Sequence, residues 1–265
     1  MKGTLRPLFS GLLLLASLAA YAQSPLVSVK FRERFDAPSG PDSVTTFHTT
    51  PSTTVPYWND TTALFVSPGK SYHAKVVPFD SIIFETNTFS TLGNVFVRMT
   101  FDQICKVHYG QQAYIMVSNN NGATWTRLGA PHYQGPSSNF NATSPYFNEI
   151  SYPNPSAANY WGGLTLTGAG TAPLPSWWVQ ETFNLSSLLG GGPAGTGNGF
   201  AQCKIRFILE YRTPQGQADP AGWFVDNVKV EAAPCELQAP SFKFNIPGGS
   251  QPIGARYFVN ESIIL

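Results

Sequence analysis

Asp226 is the ionisable residue whose type and position most suggest a binding role. Strict alternation along residues 223–230 places its carboxylate on the same face as Phe224, Val228 and Val230. A carboxylate on an apolar face is costly unless it is paired, hydrogen-bonded or bound to a metal. The residues leave three alternatives open: a metal ligand, a carboxylate that caps a loop or accepts backbone N–H bonds, or a side chain turned outward by a β-bulge.

Aromatic side chains form a second candidate site, in a long loop-rich segment between residues 130 and 171 and just after it. Rings stack on the apolar faces of sugars, while Asn and Gln bond sugar hydroxyls, so a site with few charges suits a neutral glycan. The rings that we expect to bind a ligand are Tyr152, Tyr160, Trp161, Trp177 and Trp178. The alternative is that these rings fill the space between the segment and the rest of the protein.

Catalytic patterns are absent from the sequence. The four histidines match no zinc-binding spacing; they are His48, His73, His108 and His132. There is no G-x-S-x-G nucleophile motif. The 15 acidic residues form no recognisable carboxylate pair for glycoside hydrolysis. We therefore predict that the protein is not an enzyme.

The composition limits the elements that can position these residues. Charged residues make up 12% of the 265-residue chain, against about 25% in an average globular protein. Aromatic residues make up 14%, the chain holds 24 Gly and 22 Pro, and the net charge is +1. The sequence shows no Lys/Arg cluster that would neutralise nucleic-acid phosphates. The aromatic content argues against disorder and the prolines against a helical bundle, which leaves a β-rich fold.

Period-two alternation predicts the strands. The strong ones are at 95–108, 113–118, 124–128, 203–211 and 223–230, and the weaker ones are at 29–35, 63–66, 71–77, 81–86 and 177–183. A short helical turn is expected at 185–189. Many short strands separated by Gly, Pro and Asn are typical of a β-sandwich.

The N-terminus has the pattern of a signal peptide, residues 1–22. Lys2 and Arg6 precede an apolar run at 8–19, and Ala20-Tyr21-Ala22 has the small-x-small form of a cleavage site. The run is shorter than the ~20 residues that span a bilayer, and no other stretch is long enough. We therefore expect a secreted protein, extracellular or at the cell surface, without a transmembrane helix.

Export permits disulfides, but the chain has only three cysteines. Cys105 and Cys203 lie on the apolar faces of their predicted strands and would bridge if the strands are neighbours. Cys235 is a rival partner for Cys203. The third alternative is no bridge, with thiols that pack as small hydrophobic groups.

We expect one β-sandwich domain at 27–234. Residues 235–265 are expected to be a linker and the possible start of a truncated further module, because about 30 residues cannot form a core of their own.

Two motifs support a specific resemblance. Residues 118–125, SNNNGATW, resemble the Asp-box hairpin, in which we expect structural roles for Ser118, Asn120, Gly122 and Trp125. Residues 222–230, GWFVDNVKV, resemble the ending of jelly-roll sandwiches and give structural roles to Gly222 and Trp223. Together the motifs resemble MAM-like and reelin-type repeats and, more closely, a secreted jelly-roll domain of Bacteroidota surface proteins, over about residues 30–231.

The resemblance implies a MAM- or concanavalin-like jelly roll in gliding, adhesion or type IX-secreted proteins. It implies a structural Ca²⁺ held by Asp226, with Glu33 and Asp36 as partners, and hard oxygen ligands suit this ion. It also implies a non-catalytic module that binds a glycan or a surface protein. The alternatives are an accessory, substrate-binding domain of a secreted hydrolase and a structural spacer of a larger surface protein.

Overall fold

Two antiparallel β-sheets make up most of the protein in this computed structural model. The structure describes residues 27–36, 43–49, 58–108, 110–152, 161, 172–191, 199–212 and 221–234. The predicted signal peptide, Tyr160, Cys235 and the C-terminal segment 235–265 lie outside these residues. In the described ranges, no helix is long and apolar enough to cross a membrane.

The strands of the six-stranded sheet are β1 (Ser28–Glu33), β3 (Asn59–Thr61), β4 (Ser71–Ala74), β6 (Phe96–Lys106), β9 (Val179–Asn184) and β11 (Gly222–Ala233). Their order is β3-β4-β11-β6-β9, and β1 also pairs with β11. The strands of the five-stranded sheet are β2 (Val44–His48), β5 (Ser81–Thr86), β7 (Gln111–Ser118), β8 (Thr126–Arg127) and β10 (Lys204–Tyr211). Their order is β2-β5-β10-β7-β8. A single helical turn, α1 (Ser186–Leu189), follows β9.

The core lies between the two sheets, where alternate side chains of each strand meet. Phe101 of β6 contacts Phe207 of β10 edge-on at 5.0 Å between ring centres, and Phe207 stacks on Phe84 of β5 at 4.4 Å. All three rings are fully buried. Because β6 belongs to one sheet and β5 and β10 to the other, these contacts define a sandwich. The predicted all-β sandwich is confirmed.

Some strands differ from the prediction because they carry little apolar alternation. The predicted strand at 63–66 is a bent loop, whereas Asn59–Thr61 and Val44–His48 form strands that the alternation missed. Asn59–Thr61 is polar throughout and pairs only with β4. Strand β9 begins after a 3₁₀ turn, Pro175–Trp177, and not at residue 177.

A β-bulge in β11 corrects the predicted facing of Asp226. The pairing of β11 with β6 shifts between Asp226 and Lys229, and Asn227 has a φ of 51°. Trp223 and Val225 lie on one face of β11 before the bulge, with Phe224 and Asp226 on the other, and Val228 and Val230 continue the face of Trp223 and Val225 after it. The alternation therefore changes phase, and Asp226 does not share a face with Val228 and Val230. It is nevertheless fully buried, so the bulge does not turn it out to solvent.

Cys105 and Cys203 are both buried free thiols, which corresponds to the alternative of no bridge. Cys105 lies on β6 of the six-stranded sheet, while Cys203 immediately precedes β10 of the five-stranded sheet. The two segments are not neighbours in a sheet, so the condition for a Cys105–Cys203 bridge is not met. Burial raises the pKa of both thiols.

Candidate functional site

The predicted ligand-binding rings lie mostly in the core. Trp161 is 0% exposed, Trp177 is 5% exposed and Tyr152 is 7% exposed. Trp178 is partly buried and packs against the main core. The prediction that Tyr152, Trp161 and Trp177 face a ligand is therefore wrong, and the alternative of core filling holds for them. The physical reason is that each of these rings has a buried polar partner that draws the loop-rich segment onto the sandwich.

Glu181 is one of these partners, and sequence reasoning overlooked it. Val179, Glu181 and Phe183 are the buried residues of β9, so the carboxylate lies on the core face. It accepts hydrogen bonds of 2.6 Å from the hydroxyls of Tyr133 and Tyr152 and of 2.9 Å from Nε2 of Gln103. Burial raises the pKa of Glu181, although these three donors partly oppose the shift.

Lys106 is the second partner and is also fully buried. Its Nζ donates a 2.5 Å hydrogen bond to the carbonyl of Trp161 and lies 5.6 Å from the ring centre of Trp177. The indole N–H of Trp161 in turn donates to the carbonyl of Trp177 at 2.9 Å. Alternation in the predicted strand at 177–183 puts Glu181 on the apolar face, and this signal could have identified it as a buried carboxylate. The alternation could not show that its hydrogen-bond partners come from the loop-rich segment.

Asp226 is held by a loop that crosses β11. Its carboxylate accepts hydrogen bonds from the backbone N–H of Val66 at 2.8 Å, of Ser67 at 2.9 Å and of Asn227 at 2.7 Å. The hydroxyl of Ser67 lies 2.8 Å from its Oδ1. The pKa of Asp226 is raised by burial, against the opposing effect of these hydrogen bonds. The second of the three alternatives, a carboxylate that accepts backbone N–H bonds, therefore describes Asp226.

The oxygens around Ser67 provide a test for calcium. Besides Asp226, the Ser67 hydroxyl lies 3.0 Å from the carbonyl oxygen of Arg34 and 3.1 Å from Oδ1 of Asp36. A hydroxyl has one proton, so it can donate to only one of these three oxygens. Two carboxylates, a carbonyl and a hydroxyl that converge in this way are the hard oxygen donors that Ca²⁺ prefers. These donor types suit the ion, while the Asp226 carboxylate also accepts three backbone hydrogen bonds.

Glu33 does not belong to that set. Its Oε1 accepts the backbone N–H of Arg34 at 2.9 Å and of Phe35 at 2.7 Å, and its Oε2 accepts that of Ser43 at 3.2 Å. These bonds hold the turn after β1, where Phe35 has a φ of 60°. Among the described residues, no group of three His, Cys, Asp or Glu side chains could hold a metal, so a calcium site here needs the carbonyl and hydroxyl oxygens.

The hairpin between β7 and β8 forms at the SNNNGATW segment. The carbonyl oxygen of the Asn120 side chain accepts the backbone N–H of Thr124 at 2.9 Å, and the Ser118 hydroxyl accepts that of Gly122 at 2.9 Å. Gly122 has a φ of 88°, and a side chain there would contact the ring of Trp125 at 3.3 Å. The turn thereby fixes Trp125 beside the five-stranded sheet.

At the other motif, Gly222 has a φ of 107°, and an added Cβ would lie 2.5 Å from the carbonyl oxygen of Ala74, so this position requires glycine. Trp223 is fully buried, and its indole N–H donates to Gln103 at 2.7 Å. Both residues act in the fold.

The outer face of the five-stranded sheet carries apolar residues that do not belong to the main core. A row of four residues crosses the sheet in register: Phe47 of β2, Ile83 of β5, Ile208 of β10 and Tyr114 of β7. Met116 and Tyr146 pack against this row, and with Phe47 they remain partly exposed. Tyr146 comes from the loop-rich segment.

A row that is polar except for Met116 flanks the apolar row on the same face. In register across the sheet, its residues are Thr45, Glu85, Arg206, Met116 and Arg127. Glu85 accepts hydrogen bonds from Lys204 at 2.7 Å and from Arg206 at 2.6 Å. Burial raises the pKa of Glu85, but these two cations outweigh it and the net shift is downward. The Glu85 carboxylate is therefore ionised near neutral pH.

The guanidinium groups of two arginines lie over the rings of this face. The guanidinium of Arg127 is 3.9 Å from the ring centre of Tyr114, and that of Arg206 is 4.0 Å from Trp125 and 5.1 Å from Phe47. Cation–π contacts of this kind fix the direction of the N–H groups. We call the surface formed by Phe47, Tyr114, Met116, Trp125, Tyr146, Arg127 and Arg206 the aromatic face.

The comparisons with known proteins give only distant similarities. No protein family and no curated protein matches this sequence. The chain is similar to a CBM22-1 xylan-binding domain from Paenibacillus barcinonensis, with 8% identity, a TM-score of 0.36 and coverage of 80% of this chain and 98% of that one. It is similar to a family 29 carbohydrate-binding module, with 8% identity, a TM-score of 0.34 and coverage of 79% and 90%.

A third similar structure is the family 11 carbohydrate-binding module of a cellulosomal cellulase from Clostridium thermocellum. The identity is 10%, the TM-score is 0.33, and the match covers 78% of this chain and 97% of the module. Similarities at this distance assign the chain to no family.

Proposed function

We propose that this protein is a secreted, non-catalytic glycan-binding module and that the aromatic face is its binding surface. The observation that carries the proposal is the register of the five-stranded sheet, which aligns Phe47, Ile83, Ile208 and Tyr114 beside a row that contains Arg206 and Arg127. Secretion is part of the proposal and rests on the N-terminal sequence pattern.

The apolar row suits the faces of sugar rings. Phe47, Met116 and Tyr146 remain partly exposed although they pack against buried residues. Apolar groups that stay together at a surface, with polar groups around them, are typical of ligand-binding sites. Aromatic rings in such a site can lie parallel to a pyranose ring and cover its apolar C–H groups.

The flanking polar row suits the hydroxyls. Arg127 and Arg206 are planar, and each is held against an aromatic ring, so their N–H groups lose little freedom when they donate to a ligand. Glu85 can accept a hydrogen bond from a sugar hydroxyl while it stays paired with Lys204 and Arg206. Neighbouring hydroxyls of a sugar can each donate and accept hydrogen bonds, so they match a surface with arginine donors beside a carboxylate acceptor.

We propose in addition that Ca²⁺ stabilises the fold. Asp36 and Asp226 would hold the ion together with the hydroxyl of Ser67 and the carbonyl of Arg34. When bound, Ca²⁺ supplies positive charge to two converging carboxylates. The protein's own groups already join the end of β1, the 64–67 loop and β11 at this point through Ser67.

The experiment is affinity electrophoresis in gels that contain neutral polysaccharides (glucans, xylans, mannans and galactans), followed by calorimetry with an oligosaccharide of the best ligand. We expect retention of the wild type and a tenfold or greater weakening in Tyr146→Ala and Phe47→Ala, since single aromatic anchors contribute more than 1.4 kcal/mol to many interfaces.

The matched control is Phe65→Ala, which also removes a partly exposed ring, at 42% exposure, from the loop next to Asp226. It should bind like the wild type. Retention of no polysaccharide, or equal binding by all four proteins, would contradict the proposal.

A further inference from the structure

The outer face of the six-stranded sheet contains a polar cavity of about 310 Å³. Its lining residues come from four neighbouring strands and the turn after β1: Arg32, Arg34, Arg98, Thr100, Asp102, Gln180, Thr182, Asn227 and Lys229. We call it the basic cavity. No residue of the aromatic face lines it, because that face belongs to the other sheet.

Strand register arranges part of this lining as a row. Arg32 of β1 is opposite Lys229 of β11, Lys229 is opposite Thr100 of β6, and Thr100 is opposite Thr182 of β9. Neighbouring strands lie about 4.8 Å apart, so the row extends over roughly 14 Å. The row is long enough for a ligand with more than one polar group.

The lining is strongly cationic. It holds four of the chain's 16 Lys and Arg residues, against one carboxylate, Asp102. Asp102 accepts a 2.8 Å hydrogen bond from Nδ2 of Asn227, and burial raises its pKa. Positive charge is therefore concentrated on one surface of a protein whose net charge is only +1.

Within the described residues, two of the four cations have a counter-charge and two do not. Arg98 and Lys229 both pair with Glu231, at 2.8 and 3.0 Å. Arg32 and Arg34 are exposed, and neither forms an ion pair with any residue in the described ranges. Arg32 also lies directly opposite Lys229, an arrangement of like charges that costs stability in a sheet. An anion between them would relieve this repulsion.

The chemistry of the lining favours an oxyanion on a sugar. The planar fork of arginine matches the two oxygens of a carboxylate or sulfate. Thr100 and Thr182, which are opposite each other, and Gln180, which is opposite Asp102, add neutral donors and acceptors that suit hydroxyls. No aromatic side chain is among the lining residues, so the stacking on which single-stranded nucleic acids depend has no platform here.

We propose that the basic cavity binds the carboxylate or sulfate groups of an acidic polysaccharide. The site is separate from the aromatic face, and it can be present whether or not that face binds neutral glycans. Arg32 and Arg34 provide the charge that the described residues leave without an ion pair, and the threonine and glutamine side chains contact the rest of the sugar.

The test is affinity electrophoresis and calorimetry with three polymers: polygalacturonate, which carries carboxylates; dextran sulfate, which carries sulfates; and dextran, which is neutral. We expect the wild type to bind at least one of the two acidic polymers and not dextran, with an affinity that falls as salt increases. The polymer that binds identifies the anion.

The informative variant is the double substitution Arg32→Gln with Arg34→Gln. Both side chains are exposed, so the fold should persist, which a thermal melt verifies. We expect at least a tenfold loss of affinity for the acidic polymer. The control is Lys70→Gln with Arg212→Gln, which removes the same net charge at positions outside the lining and should change affinity less than twofold.

Three results would overturn the proposal: no binding of either acidic polymer, an equal loss in the control variant, or tighter binding of a single-stranded DNA oligonucleotide than of both polymers. Tyr146→Ala separates this site from the aromatic face, because it should keep full affinity for the acidic polymer even where it loses the neutral glycan.

Discussion

The hydroxyl of Tyr152 donates a 2.6 Å hydrogen bond to the carboxylate of Glu181 in the core, and this bond joins the loop-rich segment to β9. Tyr133 does the same from the other end of that segment, also at 2.6 Å. Three of the aromatic residues that the sequence suggested as ligand contacts, Tyr152, Trp161 and Trp177, are therefore held inward by a buried carboxylate and by Lys106. The two ligand-binding surfaces that we propose lie elsewhere, on the outer faces of the two sheets.

The buried rings predict a stability effect. We expect Trp161→Ala to lower the free energy of unfolding by about 3–5 kcal/mol, the usual cost of deleting a large buried ring. Tyr146→Ala should cost much less, because this ring is partly exposed. Urea denaturation measures both values. A Trp161→Ala protein that keeps the wild-type stability and loses glycan binding would return Trp161 to the ligand site.

Glu181 predicts a pH dependence of stability. Burial raises its pKa in the folded protein above the unfolded value of about 4.3. The folded state therefore binds the proton more tightly, and the stability that this group contributes is complete below about pH 4 and is lost as the pH rises through the folded pKa. We expect Glu181→Gln to remove this loss, measured as free energies of unfolding between pH 4 and 8.

Glu231 should show the opposite pH dependence of stability and serves as the comparison for Glu181. Burial raises its pKa, but Arg98 and Lys229 outweigh burial and the net shift is downward. Its contribution is present above the unfolded pKa and is lost as the pH falls through the folded pKa, so Glu231→Gln should reduce stability at neutral pH more than in acid. If Glu181→Gln and the wild type show the same pH profile, Glu181 does not titrate as described.

Calcium predicts a shift of the melting temperature. At a Ca²⁺ concentration of 100 times the Kd, binding adds about 2.7 kcal/mol, or roughly 5–10 °C for a domain of this size. The shift should disappear in Asp226→Asn and should be smaller with Mg²⁺, which dehydrates reluctantly and demands octahedral geometry. Equal melting temperatures in EDTA and in Ca²⁺ would show that the hydrogen bonds of Asp226 suffice without the ion.

The strands were predictable where one face of a strand is core. Val97, Met99 and Phe101 alternate with polar residues along β6, and this period is visible without any structure. Strand β2 was not predicted because it has only five residues and only one of them, Val44, is buried. The facing of Asp226 failed because one bulged residue, Asn227, reverses the phase of alternation.

The two candidate surfaces depend on register between strands that are far apart in the sequence. Phe47 and Tyr114 lie in one row only because β5 and β10 stand between β2 and β7. Arg98 and Glu231, which pair at the basic cavity, are 133 positions apart. The sequence has few charged residues and no cluster of Lys and Arg. It therefore could not show that folding brings four cations together at the basic cavity.

The most direct test of the proposed function is chemical-shift mapping by NMR. The neutral oligosaccharide that binds best is titrated into the labelled protein, and the shifted resonances are located in the structure. We predict changes on the aromatic face, at Phe47, Tyr114, Met116 and Tyr146. Changes confined to the surroundings of Trp161, or to the outer face of the six-stranded sheet, would contradict it.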